Sequence, residues 1–377
     1  MQPQPYEHRI HTLQKQLQPR QAFLITQPAD LTYLTGFQPV THNEREGLLL
    51  VTLGNAELFA AAFSPLPLYV EEAVVTGRTL PFLKVYRTTN FTKIALSISQ
   101  AKVDELILDE TGIFLAESRQ LQIQLEAIAV DQTTPPSFTP LQRQSIWKQR
   151  TIKDEGEVKL IRKAAQIANK ALAEILQTLQ EDQTEKEIAH RFETKLRLLG
   201  ADGPAFPTIV AFGEHATLPH HQPGDTKLTK ETPVLIDCGA AVSGYNSDMT
   251  RTVWFGEHPS AEFLKVKTVV DQAYQLGLET LQQRTLEKKD LAARDIDTAV
   301  RHFITDAGYG NEFIHTTGHG IGIEVHEPPS IYQTNPELIE DNMVITIEPG
   351  IYLPKLLGYR YENTVLVTSK APEELTK

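Results

Sequence analysis

Two patterns of apolar spacing divide this chain. Up to about residue 128, short apolar runs alternate with stretches whose apolar residues recur every three or four positions, as when strands and helices take turns. Segments 22–26, 47–51, 57–61 and 105–108 read as strands, and 66–76, 92–100 and 115–128 read as helices with one apolar face. The polar stretch 131–140 holds three prolines and suits neither a helix nor a central strand. It is taken as a boundary, which predicts an α/β domain over 1–135 and a linker over 136–150.

From residue 151 the helical pattern lengthens. A helix is expected over 155–180, with Val158, Leu160, Ile161, Ala164, Ile167, Ala168, Leu172 and Ile175 on its apolar face. Thr184 followed by Glu187 has the form of a capping box, so a second helix should start there and run to about Leu199, with Gly200 as its stop. Further helices are expected over 261–281 and 290–307, the latter ended by Gly308. Strand-like segments lie between and after these pairs. Residues 151–377 therefore predict helices over a mostly antiparallel sheet, an α+β arrangement, and two helix pairs each followed by strands hint at an old duplication.

Length agrees with two domains, because 377 residues exceed the roughly 250–300 at which single cores stop growing. With 41% hydrophobic and 22% charged residues the chain has an ordinary globular composition. A net charge of -12 argues against nucleic acid or an anionic membrane as partner. The single cysteine, Cys238, excludes an internal disulfide framework and is expected in the core. The first residues lack the apolar core of a signal peptide, and no run approaches the roughly 18 apolar residues of a membrane span, so a cytoplasmic setting is expected.

The candidate chemistry begins at Val234-Leu-Ile-Asp237, an apolar run ending in a carboxylate. Gly239 and Gly244 are expected to turn the chain into a second strand holding Asp248, so that two carboxylates meet across a hairpin. Asp residues between strands are also ordinary turn residues. Buried together, however, like charges raise each other's pKa unless a cation or donors lie between them. Downstream, Gly318, Gly320 and Gly322 surround His319 and leave room for a ligand, which makes a poor core strand. Glu348 ends one apolar strand and Glu362 starts another. Two Asp, one His and two Glu make a hard, oxygen-rich set able to hold two divalent cations, Mn²⁺, Co²⁺, Fe²⁺ or Zn²⁺ before Cu²⁺. Residues 1–135 show no such cluster and are expected to support, shape or dimerise.

Asp237, Asp248, His319, Glu348 and Glu362, with the phrases Ser-Asp-Met-Thr-Arg, Gly-His-Gly-Ile-Gly, Val-His-Glu and Ile-Glu-Pro-Gly, resemble the pita-bread metallopeptidases, in their aminopeptidase P and prolidase branch. The resemblance spans essentially the whole chain, since Tyr33-Leu-Thr-Gly-Phe37 is similar to a phrase of that branch's creatinase-like N-terminal α/β domain. It implies a pita-bread fold for 151–377, with helices over a curved sheet, and two divalent metals per chain, Mn²⁺ first among the candidates. Asp237 would hold one metal, His319 and Glu348 the other, and Asp248 and Glu362 both. A hydroxide between the metals would be the nucleophile.

The resemblance further implies that Glu348 moves the proton to the leaving nitrogen and that His220 contacts the tetrahedral intermediate or leaving group. His326 would donate to the developing oxyanion. Arg360 also matches a family position, and its spacing, two before Glu362, puts both on one side of a strand, where it would orient Glu362 or a neighbouring carboxylate. His221 and His315 are expected to be structural or to support the site residues from outside, whereas Tyr245, His215 and Glu327 are left without a role.

Two departures bear on substrate. Asn363 stands where an Asp often follows the last Glu, and Ser330 stands where dipeptidase-like members often have Arg. Without that cation one grip on a dipeptide's carboxylate is missing. The expected function is thus an Xaa-Pro aminopeptidase acting on peptides with proline second, as a homodimer. Prolidase is the near alternative, and a non-catalytic peptide-binding module is the alternative of another class. Creatine hydrolysis without metals is set aside because the ligand set is complete.

Overall fold

The structure is a computed structural model that describes residues 4–41, 44–109, 112–129, 134–141, 144–287 and 290–377. It divides into two compact units, Met1–Arg150 and Thr151–Lys377. Among the described residues no helix is long and apolar enough to cross a membrane. Residues 1–3 of the N-terminal stretch and Asp131, Gln132 and Thr133 of the expected boundary lie outside the described residues.

In the first unit the chain runs α1 (Gln4–Gln14), β1 (Gln21–Ile25), α2 (Pro28–Thr35), β2 (Gly47–Thr52), β3 (Ala56–Ala60) and α3 (Leu68–Val75). It continues through β4 (Lys84–Tyr86), α4 (Phe91–Gln100), β5 (Glu105–Leu108), α5 (Leu115–Ile128), β6 (Ser137–Pro140) and α6 (Gln144–Thr151). The strands form one mixed sheet in the order β4-β3-β2-β1-β5-β6. Buried Leu24, Leu48, Leu50, Phe59, Ile94, Ile98, Leu106 and Leu121 form a core on it. Each such side chain contributes about 1.5–3 kcal/mol on burial.

The stretch expected as a linker is corrected here. Ser137–Pro140 pairs in parallel with β5 as the edge strand, a position where proline is tolerated because no neighbour needs its missing N–H. Three helices also escaped the sequence reading, one of them α6, which takes up most of the rest of the expected linker. In α1 the buried residues Tyr6, Ile10 and Leu13 keep helical spacing within a polar stretch, and in α2 Gly36 caps the helix at φ 69°, inside the Tyr33–Phe37 phrase.

The second unit opens on a reciprocal cap. Asp154 Oδ1 accepts from the Glu157 N–H and Glu157 Oε2 accepts from the Asp154 N–H, both at 2.9 Å, which starts α7 (Glu155–Gln177). Thr184 and Glu187 repeat the device for α8 (Glu185–Leu198). Then come β7 (Gly203–Pro204), β8 (Ile209–Phe212), a 3₁₀ turn (Gly213–Thr217), β9 (Thr232–Cys238), β10 (Ala240–Val242), β11 (Tyr245–Asn246) and β12 (Met249–Phe255). After α9 (Ala261–Glu287) and α10 (Ala293–Asp306) follow β13 (Gly318–Gly320), β14 (Glu327–Ile331) and β15 (Val344–Ile347). The chain closes with β16 (Gly350–Leu353), β17 (Leu357–Arg360), β18 (Asn363–Leu366) and β19 (Glu373–Glu374).

All strand pairs described in this unit are antiparallel, as expected, but hydrogen bonding divides the sheet into four: β11-β10-β7, β12-β9-β8, β14-β13-β15-β18-β19 and β16-β17. The apolar faces of α7 and α8 pack on Val210, Val234, Ile236 and Cys238, so the cysteine is a core residue. α9 and α10 pack on residues of β15, β16, β17 and β18. Strands β9, β15, β17 and β18, which lead to or from Asp237, Glu348 and Glu362, thus have a helical backing.

Candidate metal centre

The hairpin around Asp237 is more elaborate than its sequence implies. β9 and β12 pair directly, with Cys238 opposite Met249 and Asp237 opposite Thr250. Between them β10 and β11 form a smaller hairpin, turned at Ser243 and Gly244, which both take positive φ (51° and 81°). Gly239 serves a different need from the expected turn: a Cβ there would lie 1.9 Å from the Ser247 carbonyl oxygen. Asp248 stands just before β12, outside the strand. Thr364 holds it in place, its Oγ1 accepting from the Asp248 N–H at 3.0 Å and donating to the Asp248 carbonyl at 2.7 Å.

His319 lies at the middle of β13, a short strand between β14 and β15, where the glycine-rich sequence argued against a strand. The flanking glycines permit close sheet packing, since a Cβ at Gly318 would lie 2.0 Å from the Thr346 carbonyl oxygen. The His319 ring turns Nδ1 to the Gly320 carbonyl at 3.0 Å, which makes Nδ1 the donor and leaves Nε2 as the ligand atom. Burial holds this imidazole below its ordinary pKa and hence neutral near pH 7, the form that binds metal. Glu348 follows β15, and Glu362 stands between β17 and β18.

These five residues converge. Donor atoms of Asp248, His319 and Glu362 lie within 4.8 Å of one another. His319 Nε2 is 3.3 Å from Glu348 Oε1 and 3.8 Å from Asp248 Oδ2. Asp237 joins through Arg360, whose Nη2 donates to Asp237 Oδ2 at 2.6 Å. Burial raises the pKa of Asp248 and Glu362 well above the carboxylate range, and the neighbouring carboxylates raise both further. Glu348 is raised as well, first by burial. Oδ1 of Asp237 and Oδ1 of Asp248 are buried without a hydrogen-bond partner among the described residues. Protein donors therefore leave this set unsatisfied, and its donor chemistry fits divalent cations.

Arg360 lies at the end of β17 and Glu362 precedes β18, which belongs to another sheet, so the two do not share a strand as the spacing had implied. Buried Arg360 instead makes a three-way fork: Nη2 to Asp237, Nε to Thr250 Oγ1 at 2.9 Å and Nη1 to Tyr352 Oη at 2.6 Å. Thr250 passes the connection on by donating to Glu362 Oε2 at 2.6 Å. The Tyr352 hydroxyl sits 2.8 Å from His315 Nε2, whose Nδ1 faces the Thr316 carbonyl at 2.7 Å. Burial pushes the Tyr352 phenol up to about 12.

The His326 ring is 4.4 Å from that of His319, centroid to centroid, and burial and then His319 depress its pKa. His220 is exposed but close enough to act electrostatically on His326. His221 bonds Glu185, as does His215. Tyr245 donates to Glu157 at 3.0 Å, and Glu327 pairs with Lys153 at 2.8 Å, both buried. Asn363 accepts from Arg251 and donates to Tyr274 and Glu374. Sequence reasoning missed Thr250, Thr346, Tyr352 and Thr364. Hydroxyls inside strands carry no local signal, and only the alternation of Thr250 and Thr252 along β12 marks one side as polar.

With this geometry in place, comparison with known proteins identifies the class. Residues 159–369 match the model of metallopeptidase family M24, and the chain belongs to that family. An uncharacterized peptidase of Staphylococcus aureus is 34% identical over 352 residues, covering 93% of both chains. Among solved structures, the Xaa-Pro dipeptidase from Bacillus anthracis superposes with a TM-score of 0.85 at 28% identity, over 99% of this chain and 98% of that one. The X-Pro aminopeptidase from Thermotoga maritima gives 0.80 at 29% identity over 97% of each. The fold is the expected α+β, pita-bread one, and the protein is a peptidase of a metal-dependent family.

Proposed function

We propose that the chain is an Xaa-Pro aminopeptidase, removing the first residue from peptides with proline in second place, with a pair of divalent metals held by Asp237, Asp248, His319, Glu348 and Glu362. The observation that carries this reading is the convergence of four carboxylates and one oriented imidazole, a set in which one oxygen each of Asp237 and Asp248 is buried with no donor among the described residues. Metals bound there would lower the pKa of water and polarise a scissile carbonyl. Glu348, its carboxyl raised by burial and steadied by the Thr346 hydroxyl at 3.2 Å, is placed to take a proton and pass it to the leaving nitrogen. His326, kept neutral, offers an N–H to the developing oxyanion. His220 would contact the tetrahedral intermediate or leaving group, and Arg360 fixes Asp237. Mn²⁺ is the first candidate metal, ahead of Co²⁺, Zn²⁺ and Fe²⁺, in a cytoplasmic homodimer.

Preference for proline is supported by relatives named for Xaa-Pro bonds, including both an Xaa-Pro dipeptidase and an X-Pro aminopeptidase. Proline lacks an N–H, so a site that does not rely on that donor accepts it. The aminopeptidase choice is supported by Ser330, an exposed neutral residue opposite His319 in the strand ladder, where a cation would pair with a dipeptide's carboxylate. The test is turnover of Ala-Pro, Ala-Pro-Ala and Arg-Pro-Pro peptides with each divalent metal supplied in turn. Release of the first residue from the tripeptides is expected; cleavage of the dipeptide alone makes the enzyme a prolidase. No metal-dependent release, with less than about one transition metal bound per chain, would leave a binding module.

A further inference from the structure

A second cluster of carboxylate and imidazole lies outside the centre. Glu185, the first residue of α8, is fully buried, and its carboxylate accepts four hydrogen bonds. Oε1 takes the Phe212 N–H at 2.9 Å and His215 Nδ1 at 2.8 Å; Oε2 takes the Gly224 N–H and His221 Nε2, both at 2.9 Å. One side chain thus closes the loop 212–224 at both ends and grips two of its side chains. His220 stands beside the second of these. From another direction β17, which ends in Arg360, packs on the same loop so closely that a Cβ at Gly358 would lie 1.8 Å from the Ala216 carbonyl oxygen. The loop that carries His220 is therefore held between a carboxylate and the strand that ends in Arg360.

Two imidazoles and a carboxylate are also a zinc-type donor set. The hydrogen bonds decide against that use. Both oxygens already have two N–H donors each, so neither is left for a cation. The donors also outweigh the effect of burial, so that the carboxyl lies below its ordinary range and stays charged.

We infer that Glu185 is a positioning residue for the reaction, a carboxylate clamp that fixes the loop 212–224 and thereby sets where His220 stands. The inference rests on the peptidase reading for its kinetic test but has a second readout independent of turnover. In the full-length, metal-loaded chain, Glu185→Gln replaces an acceptor by an amide that points a donor at two donors. Hydrogen exchange of the 212–224 amides is expected to speed up by about tenfold or more, with metal stoichiometry unchanged. Turnover number on Ala-Pro-Ala is expected to fall by about 10- to 100-fold with KM within about twofold, as for a misplaced group that acts in the transition state. If Glu185 acts through His220, the double variant Glu185→Gln/His220→Ala loses no more than His220→Ala alone. His221→Gln, which removes one of the four bonds, should shift exchange and turnover number in the same direction by less, and serves if the Glu185 variant does not fold.

Three results would overturn the clamp: wild-type exchange in these variants, losses that multiply in the double variant, or a transition metal bound by the wild type and lost on changing His215 or His221. A wild-type chain inactive on every peptide would instead sink the peptidase reading, and the clamp would then stand or fall by exchange alone.

Discussion

The centre around Asp248 and the cluster around Glu185 are built from the same residue types, carboxylate and histidine, yet they differ in electrostatic state. Glu185 has a donor for every bond its two oxygens need near each ring, and its pKa falls despite burial. Asp248 and Glu362 are also buried, face other carboxylates, and are raised well above their ordinary range, while Oδ1 of Asp248 has no partner among the described residues. Residue type alone does not separate a metal site from a structural clamp. What separates them is whether backbone and side-chain N–H groups have already neutralised the carboxylate.

The largest effect that would break this contrast is loss of a centre ligand. Asp248→Ala should lower metal affinity by more than the roughly 10- to 100-fold typical of outer residues and take peptide turnover to background, read by elemental analysis and a peptide assay. Arg360→Ala should cost about 10- to 100-fold in metal affinity or turnover, because Asp237, Thr250 and Tyr352 lose their shared donor. Arg360→Lys should rescue only part of it, having charge without the fork.

Metal removal sharpens the comparison by a smaller step. At about 100 times Kd a bound metal adds about 2.7 kcal/mol, seen as a rise in Tm over the chelated protein. The gap should depend on pH. Asp248 and Glu362 have folded pKa values above the unfolded ones, so the metal-free fold binds more protons than the unfolded chain and loses stability as pH rises from the unfolded carboxyl values, about 4, through the raised folded values. Bound dications favour the ionised form and offset this loss. The Tm difference between loaded and chelated protein should therefore widen from about pH 5 to about pH 8. A constant difference would mean that these carboxylates are not ligands.

Much of this was legible in the sequence because the carboxylate ligands stand at or next to strand ends, and at Asp237 and Glu348 an apolar run stops at the carboxylate. The same holds for the helices whose ends are marked by Thr184 and Glu187 or by Gly200 and Gly308. Patterns failed where tertiary structure overrode them. Pro140 masked an edge strand that exists because β5 offers it a partner. The glycines around His319 argued against a strand, yet two neighbouring strands hold one together. Arg360 was placed beside Glu362 by spacing, but its direct carboxylate partner is Asp237, 123 positions away, and no local rule joins them. Glu185 reads as the first residue of a helix, and nothing near it in sequence indicates that its carboxylate serves a loop that begins 27 residues later.

The tight seat of Gly318 has a consequence for tracing how this family diverges. Any side chain there would collide with the backbone of Thr346, so the glycine is imposed by assembly of the sheet whether or not the protein turns over a substrate. A descendant that abandoned catalysis while keeping its shape would still carry that glycine. It would be free to give up the unsatisfied aspartates, which cost the empty fold stability, so their persistence is the better record of inherited activity.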